Sequence, residues 1–135
     1  MSTATPPAST PQVMLWIGRV ISVLPVLGLV MSAYMKFSRN PELVKGLTHF
    51  GYPLEVAVPL GIVELTCTIL YVIPQTSVLG AILLTGYLGG AIATHVRVEE
   101  GFGPPLFMGV LLWLGLFLRD ARIRALVPWR RTPQA

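Results

Sequence analysis

Residues 54–96 read LEVAVPLGIVELTCTILYVIPQTSVLGAILLTGYLGGAIATHV. Two long apolar runs are parted only by Pro74-Gln75-Thr76. A helix that crosses a bilayer needs about 20 mostly apolar residues, and Leu54 to Ile73 and Ser77 to Val96 both reach that length. So short a connection makes the two helices antiparallel neighbours. The stretch therefore reads as a helical hairpin solvated by lipid.

The pattern continues on both sides. Upstream, Val13 to Met35 is a further apolar run, with one charge, Arg19, and a kink candidate, Pro25. Downstream, Pro105 to Leu118 is a short run that can continue as helix through Ala121 and Ile123 to Leu126. Composition agrees: 53% of residues are hydrophobic, 12% are charged, and the mean hydropathy is +0.69. A soluble domain carries about 25% charged residues. The expected fold is an all-α membrane protein, a bundle of four transmembrane helices.

Between the first and second spans, Asn40-Pro41-Glu42 reads as helix cap, first position and acidic first turn. Leu43, Val44, Leu47 and Phe50 then recur at helical spacing, and Gly51 follows as a stop. This predicts a short amphipathic helix lying at the membrane interface. Arg97 to Pro104 reads as a polar Gly/Pro loop. The expected organisation is a disordered Ser/Thr/Pro-rich tail at 1–12, one transmembrane domain at 13–126 and a basic tail at 127–135. The apolar run after the N-terminal tail is too long for a signal peptide and is read as a retained helix.

Five of the ten basic residues fall between Arg119 and Arg131, directly after the last apolar run. They read as a juxtamembrane anchor for anionic lipid, not as a nucleic-acid surface. Four crossings put both termini on one side, with those five basic residues. Lys36, Arg39, Lys45 and Arg97 lie on the other side, so the positive-inside rule favours cytoplasmic termini. Cys67 is the only cysteine, which excludes an intrachain disulfide and a C-x-x-C motif. His49 and His95 are the only histidines, and no metal site is expected. No nucleophile elbow, P-loop or dinucleotide fingerprint is present, so no self-contained catalytic motif is found.

The polar residues at membrane depth are the site candidates. From a rise of about 1.5 Å per residue, Arg19, Glu64 and Tyr87 lie roughly 9, 13 and 15 Å in from the terminal side. At those depths the three can meet. An unpaired charge in hydrocarbon costs about 2.5–3.5 kcal/mol on insertion scales, so Glu64 is expected to be paired or protonated. One reading makes Glu64 a buried acid that exchanges protons or holds the head of a lipophilic ligand; the other makes it half of a structural ion pair. For Arg19 the structural alternative is snorkelling to the interface. A second layer, at the opposite face, gathers Lys36, Glu55, Thr94, His95 and Arg97. It reads either as a polar mouth, with His95 as donor or proton carrier, or as ordinary interfacial anchoring. Gly86, Gly89 and Gly90 mark close helix packing, inside the bundle in the first instance and otherwise between copies in a homo-oligomer.

Gly61-Ile62-Val63-Glu64-Leu65, Tyr71-Val72-Ile73-Pro74-Gln75-Thr76 and Gly80 to Ala91, running on through Thr94-His95-Val96-Arg97, resemble the DoxX-like family of small bacterial membrane proteins. Leu118-Arg119-Asp120 and Leu126-Val127-Pro128 fit as well. The likeness covers about Trp16 to Arg130, and the third span is its specific part. It implies a four-helix bundle in a bacterial inner membrane. It also implies a link to membrane redox systems, because the wider group includes a small subunit of thiosulfate:quinone oxidoreductase. By carry-over Lys36, Glu64, Thr94, His95 and Arg97 become the polar positions of interest, with a quinone as the implied ligand and a redox protein as the implied partner. The loop before the fourth span is shorter here than the family leads one to expect. The alternatives are a binding or transport module for a small lipophilic or anionic compound, and a structural scaffold.

Overall fold

The computed structural model describes residues 9–130. The expected disorder at 1–12 and the end of the basic tail lie largely outside that range. Helix α1 spans Gln12–Ser38, α2 Pro41–His49, α3 Ala57–Val72, α4 Ser77–Arg97, α5 Gly103–Arg119 and α6 Ala121–Leu126, with a 3-10 turn at Leu54–Val56 before α3. Among the described residues there is no strand. Three stretches, α1, the turn with α3, and α4, are long and apolar enough to cross a membrane, and α5 is a shorter apolar helix. Only 22% of the apolar window of α1 is buried inside the molecule, so most of its hydrocarbon surface faces outward. Trp16, Val20, Leu24, Leu27 and Met31 form that outer face.

Each long helix packs on two others. α1 lies against α3 and α5, α4 lies against the same two, and α1 and α4 face each other across the centre. Leu29, Tyr71, Leu84, Leu112 and Leu116 fill the space between them. The hairpin is sealed by side chains that satisfy the last carbonyls of α3. Ser77 Oγ donates to Tyr71 O at 2.7 Å, and Thr76 Oγ1 donates to Leu70 O at 2.8 Å. Gly80 is required there, because a Cβ would run into the backbone of Tyr71.

The close approach between α1 and α5 also rests on glycine. A Cβ on Gly18 would stand 2.8 Å from Gly115 O, and one on Gly115 would collide with Ser22 Oγ. Gly86, Gly89 and Gly90 behave differently. A Cβ on any of them would meet nothing within 4 Å, so the expectation that they pack inside the chain is corrected.

The helix after the first span forms as its caps dictate. Asn40 Oδ1 accepts the Glu42 N–H at 2.9 Å, Pro41 opens the helix, and Gly51 adopts a φ of +78° two residues past its end. The fourth apolar run does not continue unbroken to Leu126 as expected. Asp120 is extended, and its carboxylate accepts from Arg122 N–H at 2.9 Å, starting α6 as a separate turn. Partial burial pushes the Asp120 carboxyl up, but the hydrogen bonds and charge of Arg122 prevail and hold it below the usual range.

Candidate functional site

Small and polar residues repeat along one side of two helices. On α1 the inward stripe is Gly18, Ser22, Pro25, Leu29, Ala33 and Lys36; on α3 it is Ala57, Gly61, Glu64, Thr68 and Tyr71. The stripes face each other because α1 and α3 pack together. Lys36 and Glu64 fall on them and meet. Lys36 Nζ lies 2.8 Å from Glu64 Oε2, with the side chains only 10% and 3% exposed. The same ammonium donates to Ser32 Oγ at 2.6 Å, one helical turn back. The Cβ of Lys36 lies over Gly61, where any larger residue would be crowded.

Tyr87 of α4 lies near the Glu64 carboxylate and completes the cluster. Beside it opens a cavity of about 570 Å³. Ser32 and Lys36 of α1, Glu42 of α2, Tyr52, and Tyr87, Thr94 and His95 of α4 are its polar lining. Gly86 and Gly90 also line it, and their missing side chains help to leave the space. Leu43, Leu47 and Phe50, the apolar side of α2, cover it. A site of this size, mostly apolar with a few convergent polar groups, has the character of a small-molecule pocket.

The two polar layers read from the sequence are therefore joined. Lys36 belongs to the layer of Thr94, His95 and Arg97 by position, but its long side chain carries the charge inward to Glu64. Thr94 Oγ1 donates to Gly90 O at 2.9 Å and stands 3.0 Å from Tyr52 Oη, which donates to it. His95 Nδ1 lies 2.7 Å from Ala91 O, so Nδ1 carries a hydrogen and Nε2 is left for another partner. Its ring packs against Phe50 in a tilted arrangement, with centroids 4.9 Å apart and planes at 55°. Arg97 donates to Phe50 O and lies 5.3 Å over the Tyr52 ring, clamping the α2–α3 connection onto the end of α4.

Arg19 does not join Glu64. It is exposed on the outer face of α1, with its guanidinium 5.0 Å over Trp16. Depth placed it near Glu64, but it sits one residue off the inward stripe and so turns outward. Glu55 is exposed in the turn before α3. His49 is exposed and pairs with Glu100 at 2.7 Å. The sequence reading missed Ser32, Phe50 and Tyr52. Ser32 had a signal, since it precedes Lys36 by four residues on one helix face. Phe50 and Tyr52 had none, because only folding of the connection brings them over the cavity.

The DoxX-like family matches residues 20–118, well over half of the chain. No curated protein and no solved structure matches it.

Proposed function

The chain belongs to the DoxX-like family, and from that premise we propose that it binds a lipophilic ligand with a neutral carbonyl head, of the quinone type, beside Lys36 and Glu64. It acts as an accessory subunit or quinone-linked partner of a membrane redox system. It crosses a bacterial inner membrane four times, α5 being the shortest crossing, with α2 at the interface and both termini in the cytoplasm. The electrons come from a partner protein.

The observation that carries this reading is the charge balance of the cavity. Lys36 is matched by Glu64 at 2.8 Å. Glu42 also lines the cavity and is paired with Lys45 at 3.0 Å, so an anionic head would meet no unmatched cation and would compete with the Glu64 carboxylate for Lys36. A neutral acceptor faces no such competition. The ammonium has three hydrogens, and Glu64 and Ser32 take two of them. The third is left for a carbonyl oxygen, with Tyr87 and the free Nε2 of His95 as further polar contacts. The apolar remainder of the cavity suits a ring and the start of a tail. Binding of a small anion, the main alternative, lacks this support.

The test is binding of a quinone analogue to the detergent-purified chain, against Glu64→Gln and Lys36→Met. The wild type is expected to bind, Lys36→Met to lose most of the affinity, and inorganic sulfate not to compete. Failure of every chain to bind, with no redox protein co-purifying from native membranes, would overturn the reading. Competition by sulfate would transfer the site to anions.

A further inference from the structure

A second cavity, of about 590 Å³, lies on the other side of α4 and has a different character. It is a groove between α4 and α5 that starts at Pro105 and Leu106 and ends at Phe117, Ile123 and Val127. Its lining is apolar except at Thr85 and Trp113, whose polar atoms satisfy each other at 2.7 Å. Thr85 Oγ1 in turn donates to Ala81 O at 2.7 Å. The groove therefore offers hydrocarbon contacts and no free hydrogen-bonding group along its length. Its lining residues run along most of α5, a length that suits an extended hydrocarbon chain.

The foot of the groove is basic. Arg124 of α6, next to Ile123 in the chain, donates to Phe117 O and Leu118 O, both at 2.9 Å, and to Thr10 Oγ1 at 3.1 Å. Those partners are neutral, so the charge of Arg124 is matched by no carboxylate among the described residues. Arg122 is exposed and is held at 3.1 Å by Asp120, and Arg130 is exposed farther along. Charge is unevenly shared between the two ends of the molecule. The end where α1 starts and α5 stops carries Arg19, Arg119, Arg122, Arg124 and Arg130 against one acid, Asp120. The opposite end carries Lys36, Arg39, Lys45 and Arg97 against Glu42, Glu55, Glu64, Glu99 and Glu100. A basic end draws an anionic headgroup.

We propose that this groove is a specific site for one anionic phospholipid, with an acyl chain between α4 and α5 and the phosphate on the arginines of α6. Hydrocarbon fills an apolar slot in any bilayer. Selection comes from the foot, where the break at Asp120 starts α6 and its two arginines flank Ile123, a residue of the groove wall. The groove shares no polar group with the Lys36–Glu64 cavity, so either proposal can fail without the other.

Trp113 lies in the groove and serves as the reporter. The chain carrying Trp16→Phe and Trp129→Phe leaves Trp113 as the only tryptophan. It is placed in zwitterionic nanodiscs doped with phospholipids brominated on the acyl chain, whose bromine quenches tryptophan on contact. Brominated phosphatidylglycerol is expected to quench at a several-fold lower mole fraction than brominated phosphatidylcholine. Arg124→Gln, and separately the exposed pair Arg122→Gln with Arg130→Gln, are expected to reduce that preference. Gly89→Leu, which fills the groove wall, is expected to reduce quenching by both lipids. The paired exposed variant keeps the test valid if Arg124→Gln loosens the end of α5. Equal quenching by the two lipids would overturn the proposal. So would quenching by neither together with a cross-linked dimer, which would assign the groove to a second copy of the chain.

Discussion

Lys36 reaches inward from the last turn of α1, and Arg119 from the last turn of α5, so each is a cation at the end of an apolar helix. They are accommodated differently. Lys36 is tied to Glu64 and Ser32 and lies beside a cavity. Arg119 has its stem against Gly18 and its guanidinium 5.0 Å over the Tyr71 ring, with Nε and Nη2 buried and unpartnered. One charge is neutralised by a carboxylate that itself needs the partner. The other leans on an aromatic face at the basic end of the molecule. The lesson is that a polar group inside lipid-facing helices is held either by charge matching or by position near a helix end, and only the first makes two residues depend on each other.

That dependence gives the largest expected effect. Glu64→Leu should destabilise the chain by about 3–5 kcal/mol, because it strands a buried ammonium. Adding Lys36→Met should recover most of the loss, since an apolar pair of similar volume is often neutral or better. Ligand binding should stay lost in the double variant. Unfolding in detergent of the two single variants and the double variant forms the cycle that checks this. Additive single losses would show that the pair is not coupled.

The next effect concerns the glycines. Gly80→Ala should cost about 1–3 kcal/mol, because the methyl meets the Tyr71 backbone, which cannot yield. Gly86→Ala should leave stability unchanged or raise it by up to about 1 kcal/mol, because the methyl meets open space and alanine favours helix. Gly86→Leu should keep the fold and weaken ligand binding by filling the cavity. Thermal unfolding and ligand titration on the same preparations separate these outcomes, and equal losses at positions 80 and 86 would contradict the packing described.

Smaller effects sharpen the Arg119 side. Tyr71 Oη donates to Leu112 O at 2.6 Å and stands 3.0 Å from Ser22 Oγ, which itself donates to Gly18 O at 2.8 Å. Two hydroxyl hydrogens are thus shared among three contacts, of which those of Tyr71 with Leu112 and Ser22 join α3 to α5 and to α1. Tyr71→Phe should cost about 1 kcal/mol. Arg119→Met should change stability by less than about 0.5 kcal/mol, because the contact with the ring, worth about 0.5–1 kcal/mol where exposed, is offset by unpartnered N–H groups. A loss at Arg119 as large as that at Glu64 would erase the contrast between the two cations.

Much of the site was legible, though not by the route of depth. Rise per residue ranks groups along the membrane normal and says nothing of their direction around the helix. Arg19 and Glu64 were matched in depth, yet Arg19 points outward. The small and polar spacing of Gly18, Ser22, Pro25, Ala33 and Lys36 does carry direction, and it selects Lys36. Hydrophobic periodicity could not, since α3 is apolar almost all round. The glycines of α4 were equally ambiguous. A Gly-x-x-x-Gly pair permits close contact but does not supply the partner, and here the space became part of a cavity wall.

By itself the sequence determined the class of the protein: helices solvated by hydrocarbon, a tight hairpin at Pro74, a capped short helix from Asn40, and membership of a family. These follow from hydropathy, turn chemistry and local hydrogen bonding, which act between near neighbours in the chain. Tertiary structure alone decided that Lys36, and not Arg19, meets Glu64, and that Phe50 and Tyr52 join the cavity. Those outcomes depend on which way each side chain turns and on how far it reaches across a helix contact, and both are fixed only when the helices pack.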